Sequence, residues 1–262
     1  MRRNIVRAAT PAVTFESGGV TLAGLLHLPA GPGPHPVVLL LQGFPGNERS
    51  LDLAQALRSA GYAAVAFHYR GSWGMEGTWS WANVLEDAAT VARAVRAEPF
   101  AARYRLDPGR LALFGHSAGG FAALMTAAAD PSIPAVVSVS AFDFGTVAAS
   151  LDARTRAAYV EDWDGELLPL RGTSGEALVA EMERAGEAWR LAGLAPRLAG
   201  RPVLLIGTSE DAVTPAAVHH RPLVTAYSGA LLDHHEWATD HALSDHRQRL
   251  IETVRGFLDG HL

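Results

Sequence analysis

The chain has no cysteine, which excludes disulfides, thiolate catalysis and cysteine-ligated zinc together. It has no run approaching the ~18 apolar residues that a membrane-spanning helix needs. The basic start, residues 1–9, is followed by no apolar core of roughly 7–15 residues and makes a poor signal peptide. There is no long basic block, and the formal net charge is −5. Neither nucleic acid nor stable association with an anionic membrane is therefore expected. H-E-x-x-H is missing, and His219-His220 and His234-His235 are adjacent pairs, whose side chains leave a helix or strand in different directions. No metal site is expected. Residues 71–77 have a glycine-rich look, but lack the spacing and the later acid of a dinucleotide site. No cofactor is expected, and the cytoplasm is the expected location.

What is present is a globular composition, 48% hydrophobic and 19% charged over 262 residues. That length suits one α/β domain, 1–262, with an insertion. Residues 13–28 alternate about Gly18-Gly19 as a hairpin. The continuous apolar runs at 37–41, 62–67, 110–114, 135–139 and 202–206 predict strands covered on both faces. Residues 230–233 read as a last strand. Helical spacing marks 48–60, 84–97, 120–129 and 244–259, the last with Ser244 as N-cap. Asp107-Pro108-Gly109 reads as a turn. Alternating strands and helices imply a mostly parallel sheet with helices on both faces. The stretch 144–199 is longer than a crossover needs. Thr173 and Glu176 suggest a capping box there, so it is read as a helical lid insertion, with a long packed crossover as the alternative.

Gly115-His116-Ser117-Ala118-Gly119 lies between a predicted strand and a small-residue helix. This G-x-S-x-G context is that of a nucleophile elbow, a strained turn presenting the serine hydroxyl over the sheet edge. The helix behind it offers free N–H groups and a positive dipole end. A serine needs a base, and the base needs a carboxylate to orient it. Asp211 follows the strand at 202–206, with Glu210 as competitor. His241 lies in a loop ahead of the last helix and is the favoured base. His246 falls in that helix's first turn, and a strand would send His234 and His235 to opposite faces.

The order Ser117, Asp211, His241 resembles that of the α/β-hydrolase superfamily. The resemblance covers nearly the whole chain: hairpin, the loop Gln42-Gly43-Phe44-Pro45-Gly46, elbow, acid and base. It implies the α/β-hydrolase fold and an oxyanion hole formed by the backbone N–H groups of Phe44 and Ala118. Pro45 has no N–H to give, and Gln42 stands where many relatives carry histidine. Residues 67–77 are similar to a loop of short bacterial carboxylesterases and of prolyl oligopeptidase-like catalytic domains. About 35 residues precede the first core strand, too few for a propeller domain. The implied activity is hydrolysis of small carboxylic esters through an acyl-enzyme. A peptidase or amidase, or a non-hydrolytic lyase or acyltransferase, remains open. Trp73, His116, Trp163, Met182 and Trp189 are expected to line the substrate pocket, with Phe44, Trp79 and Trp81 as further apolar candidates. Arg70, following a strand, reads as a loop brace. The expected partner is a small-molecule ester, and no oligomeric state is implied.

Overall fold

In the computed structural model, which describes residues 6–262, eight strands form one sheet. They are β1 (Ala12–Ser17), β2 (Val20–His27), β3 (His35–Leu41), β4 (Ala63–Phe67), β5 (Leu106–His116), β6 (Ala135–Val139), β7 (Pro202–Thr208) and β8 (Leu231–Trp237). The spatial order is β1-β2-β4-β3-β5-β6-β7-β8. β2 runs antiparallel to β1 and to β4, and every other neighbouring pair is parallel. This is the α/β arrangement expected. Residues 1–5, which belong to the basic start, lie outside the described residues.

The central strands read as unbroken apolar runs because both faces are covered. On β3, Val37, Leu39 and Leu41 enter one core while Val38 and Leu40 enter the other. Helix α1 (Leu51–Ser59) and the last helix, α11 (Arg247–His261), cover the second core. Helix α2 (Trp81–Arg96), the short α3 (Glu98–Tyr104) and α4 (Ala118–Ala129) cover the first.

Between β6 and β7 the chain forms α5 (Phe144–Ser150), α6 (Ala153–Gly165), α7 (Gly175–Ala185), two 3₁₀ turns and α8 (Ala195–Leu198), and the short α9 (Ala216–His219) and α10 (Arg221–Ala226) lie between β7 and β8. This segment is only partly a cover. Met182 and Trp189 are buried in the main core. Glu181 accepts the Trp81 and Ala82 N–H groups at 2.9 and 2.7 Å, a carboxylate on the positive end of α2. The Trp81 indole donates to the Leu178 carbonyl at 3.2 Å. Thus α7 is latched to the body, whereas α6 lies over the sheet's carboxyl edge.

Several local expectations are corrected. α2 starts at Trp81 because the Ser80 hydroxyl caps it, accepting from the Asn83 N–H. The Asp107-Pro108-Gly109 stretch lies within β5, at a register irregularity against β3. Ser174, not Thr173, caps α7, and Glu176 instead pairs with Arg156. The capping box belongs to Asp152 and Thr155 at α6. α11 begins after His246, and the Ser244 hydroxyl donates to Asp240.

Arg70 closes a buried network. Its guanidinium donates to Asp87 Oδ1 at 2.9 and 2.6 Å, and the Ser17 hydroxyl donates to the same oxygen at 2.6 Å. Asp87 is fully buried. Asp87→Ala would leave the buried guanidinium with only the Ser17 hydroxyl and the half-exposed Glu86, which lies 2.9 Å away, and should cost about 3 kcal/mol. Urea unfolding measures this, and a loss under about 1 kcal/mol would show that the network is nearly neutral.

Candidate active site

Ser117 sits between β5 and α4 with φ 58 and ψ −124, a conformation costly for a residue with a side chain. The surrounding backbone packs too tightly for side chains on either flank. A Cβ on Gly115 would lie 1.9 Å from the Gly119 carbonyl oxygen, and one on Gly119 would lie 2.0 Å from that of Leu41. The Ser117 N–H donates to Val139 on β6 at 2.9 Å, tying the turn to the sheet. The hydroxyl has no hydrogen-bond partner among the described residues, although Ser117 is only 7% exposed. It faces a cavity of about 290 Å³ that His241 also lines.

Asp211 follows β7, and its side chain is wholly buried. It accepts from the Thr208 hydroxyl at 2.8 Å, the Val213 and Thr214 N–H groups at 2.8 Å each, and the Thr214 hydroxyl at 2.6 Å. His241 Nδ1 lies 2.7 Å from its Oδ2. Burial opposes ionisation, but the hydrogen bonds from His241 and Thr214 outweigh it and hold the carboxyl well below the usual range. That carboxylate fixes the imidazole with Nδ1 inward, leaving Nε2 for the cavity. The competing Glu210 is exposed and lines no part of this cavity. His234 and His235 lie on β8 against a different hollow, and His246 contacts Asp245.

Phe44 and Ala118 both line the cavity. Among the described residues, neither of their N–H groups donates to another backbone group. Ala118 is the first residue of α4, so the helix's positive end is directed at the same space. Two free donors and a dipole beside a hydroxyl can stabilise an oxygen that becomes negative.

Of the expected pocket residues, Trp163 lines the cavity, together with Trp81, Phe142 and Phe144. Trp73, His116, Met182 and Trp189 do not. Trp73 is 43% exposed and donates its indole N–H to the Pro45 carbonyl. Met182 and Trp189 are core residues, Trp189 packing on Phe121 and Phe144. His116 turns away from the cavity, its Nε2 2.7 Å from the His241 carbonyl oxygen and its ring 4.7 Å from that of His241. It ties the elbow to the loop that carries His241. Burial, then the adjacent His241, bring its ring down to about 4, so it is neutral and donates. Phe142, Phe144 and Val213 escaped sequence reading, as did the Thr208 and Thr214 contacts to Asp211. Only Thr214, three residues past Asp211 in a turn, left a local cue.

Residues 36–202 match the sequence pattern of a family described as alpha/beta hydrolase fold. The chain belongs to that family. Two curated relatives are each 32% identical. One is the quorum-quenching protein AidA of Acinetobacter baumannii, aligned over 149 residues, 54% of this chain and 47% of that protein. The other is an Escherichia coli protein of the traX-finO intergenic region, aligned over 136 residues, 50% and 45%. The chain spans just under half the length of these relatives. Among solved structures, Est1E from Butyrivibrio proteoclasticus with bound ferulic acid superposes with a TM-score of 0.76 at 19% identity, covering 95% of this chain and 99% of that one. An acetyl xylan esterase from Paenibacillus sp. R4 gives 0.71 at 18%, covering 98% and 89%. Such distant matches carry the fold alone. Among the described residues, no group of three or more His, Asp or Glu could hold a metal ion, and no helix is long and apolar enough to cross a membrane.

Within this hydrolase-fold chain, burial also lowers His219 and His220 to about 4, and depresses His27 and His68. A histidine whose folded pKa lies below its unfolded value of 6.5 takes up its proton more readily when unfolded. Its stabilisation is therefore complete above pH 6.5 and is lost as pH falls towards 4. Asp211 has the same sign in a lower window, below 3.8. Asp143, raised by burial, acts in the opposite sense. Each histidine contributes at most about 1.4 kcal/mol per pH unit. Stability in urea should fall by at least about 2 kcal/mol between pH 7.5 and pH 5. A denaturation midpoint that does not move over that range would contradict neutral burial of these rings.

Proposed function

We propose that the protein is a serine hydrolase of carboxylic esters, with Ser117 as nucleophile, His241 as general base and Asp211 as its orienting acid. The observation that carries this reading is the convergence of a strained, unpartnered serine and a carboxylate-bound imidazole on one cavity. An acetyl xylan esterase shares this fold, as does Est1E with bound ferulic acid, which is consistent with it.

In the proposed mechanism His241 Nε2 takes the Ser117 proton as Oγ attacks the ester carbonyl. The carbonyl oxygen, now negative, is held by the Phe44 and Ala118 N–H groups. Asp211 stabilises the imidazolium without becoming protonated, in keeping with its depressed pKa. His241 then protonates the departing alcohol, and an acyl-Ser117 forms. Water, deprotonated by the same imidazole, releases the acid and restores the hydroxyl.

The cavity, at about 290 Å³, lies at the small end for ligand sites and is walled by Phe44, Trp81, Phe142, Phe144 and Trp163. Its size and walls favour short or single-ring acyl groups. Ser117→Ala should lower p-nitrophenyl acetate hydrolysis by about 10³-fold or more, and a fluorophosphonate should label the wild type but not the variant. Wild-type turnover by Ser117→Ala would remove the serine from the mechanism. Comparing a p-nitrophenyl ester with an aminoacyl-nitroanilide separates ester from amide preference.

A further inference from the structure

Two carboxylates line the catalytic cavity without taking part in the chemistry described above. Asp162 and Glu166 stand one helical turn apart at the end of α6, both exposed. Two other charges of α6 are committed elsewhere: Arg156 pairs with Glu176 and Glu183, and Asp164 accepts the Gly175 N–H. Among the described residues, Asp162 and Glu166 belong to no ion pair. Their position is unfavourable for the helix itself, because acids at its negative end are repelled and the last turn of α6 has no basic residue. Local disagreement of this kind is expected where function sets the residue.

The hollow they border continues past the nucleophile. A second space of about 490 Å³ shares Phe142, Asp162, Trp163 and Val213 with the first and extends along α6 past Thr155 and Tyr159. Among the described residues, His241 is the sole one lining either space that can carry a positive charge. The walls are aromatic and packed close: Trp81 lies 5.2 Å from Trp163 and 5.4 Å from Phe44, and Phe142 lies 6.2 Å from Trp163. Ring faces carry negative potential and attract cations. Beside them the unpartnered hydroxyl of Ser117, a residue only 7% exposed, marks where a substrate must sit. The free carboxylates and the C-terminal end of α6 therefore place negative potential on one part of the lining, while the positive end of α4 acts at Ala118.

We propose that this cavity selects esters bearing a cationic group, a quaternary or protonated amine, which Asp162 and Glu166 attract and the aromatic walls enclose. The inference rests on the Ser117 hydrolase reading and names its substrate class.

The test uses matched pairs that differ only by nitrogen for carbon. Benzoylcholine is set against 3,3-dimethylbutyl benzoate for a charge on the alcohol side. Phenyl 4-(trimethylammonio)butanoate is set against phenyl 5,5-dimethylhexanoate for the acyl side. At low ionic strength the wild type should favour the cationic ester of at least one pair by about tenfold in kcat/KM. The ratio should shrink towards one in Asp162→Asn/Glu166→Gln, and in the wild type at about 0.5 M salt, where exposed charges are screened. The salt series needs no variant, so it decides even if the double substitution fails to fold. Neutral and cationic esters cleaved alike, with fluorophosphonate still labelling Ser117, would overturn the cation preference and leave the hydrolase reading intact. A preference that survives both substitution and salt would overturn the role of the two carboxylates. No cleavage of any ester, with Ser117 unlabelled, would overturn the hydrolase reading, and this inference would fall with it.

Discussion

One serine is held at a positive φ by backbone that passes too close for side chains, and the rest of the site is arranged around that constraint. The strain at Ser117 persists because β5, α4 and the end of β3 are each fixed independently by the two cores. Gly119 touches the Leu41 carbonyl, so the end of β3 and the start of α4 share one narrow space. The loop carrying Phe44 leaves β3 at this point. The elbow therefore sets the serine, the first turn of α4 and the facing loop by a single packing event, and it explains why two backbone donors and a hydroxyl meet at one cavity.

Asp211 and His241 are held by a different principle. Asp211 is out of water, where an isolated carboxylate would be prohibitive, and it is supported by four hydrogen bonds besides the one to the imidazole. Thr214 bridges Asp211 and the Ser140 carbonyl, which ties the β7 turn to the end of β6. His116 connects the elbow directly to the backbone of residue 241. Ser117 and His241, 124 positions apart in sequence, are thus linked by adjacent residues of one turn as well as by the sheet.

Much of the fold was legible in the sequence, for a simple reason. A strand covered on both faces is apolar at nearly every position, and β4 and the inner parts of β3 and β7 carry that mark, as does β6 apart from Ser138. The hairpin was legible from alternation, and α1, α2 and α4 from their spacing. The shortfalls lie where tertiary contacts override local signals. Thr173 and Ser174 are both plausible caps, and only the path of the chain selects Ser174. Ser244 looks like a cap, but Asp240 claims its hydroxyl. The proline and glycine after Asp107 suggest a turn, yet pairing with β3 holds the segment in the strand. Helix α3 is short and has little periodicity to read.

By itself the sequence determined the order of elements, the mostly parallel sheet and a serine poised between a strand and a helix, because periodicity and turn chemistry act over a few neighbouring residues. Tertiary structure alone decided which of the many aromatic rings wall the cavity and which fill the core. Trp163 and Met182 carry similar local signals, yet α6 brings Trp163 to the cavity while Glu181 pins α7 to α2. Tertiary structure also turned His116 towards a carbonyl and left Asp162 and Glu166 free at the mouth. Helical spacing gives a residue its face, but what that face meets depends on segments far away in the chain.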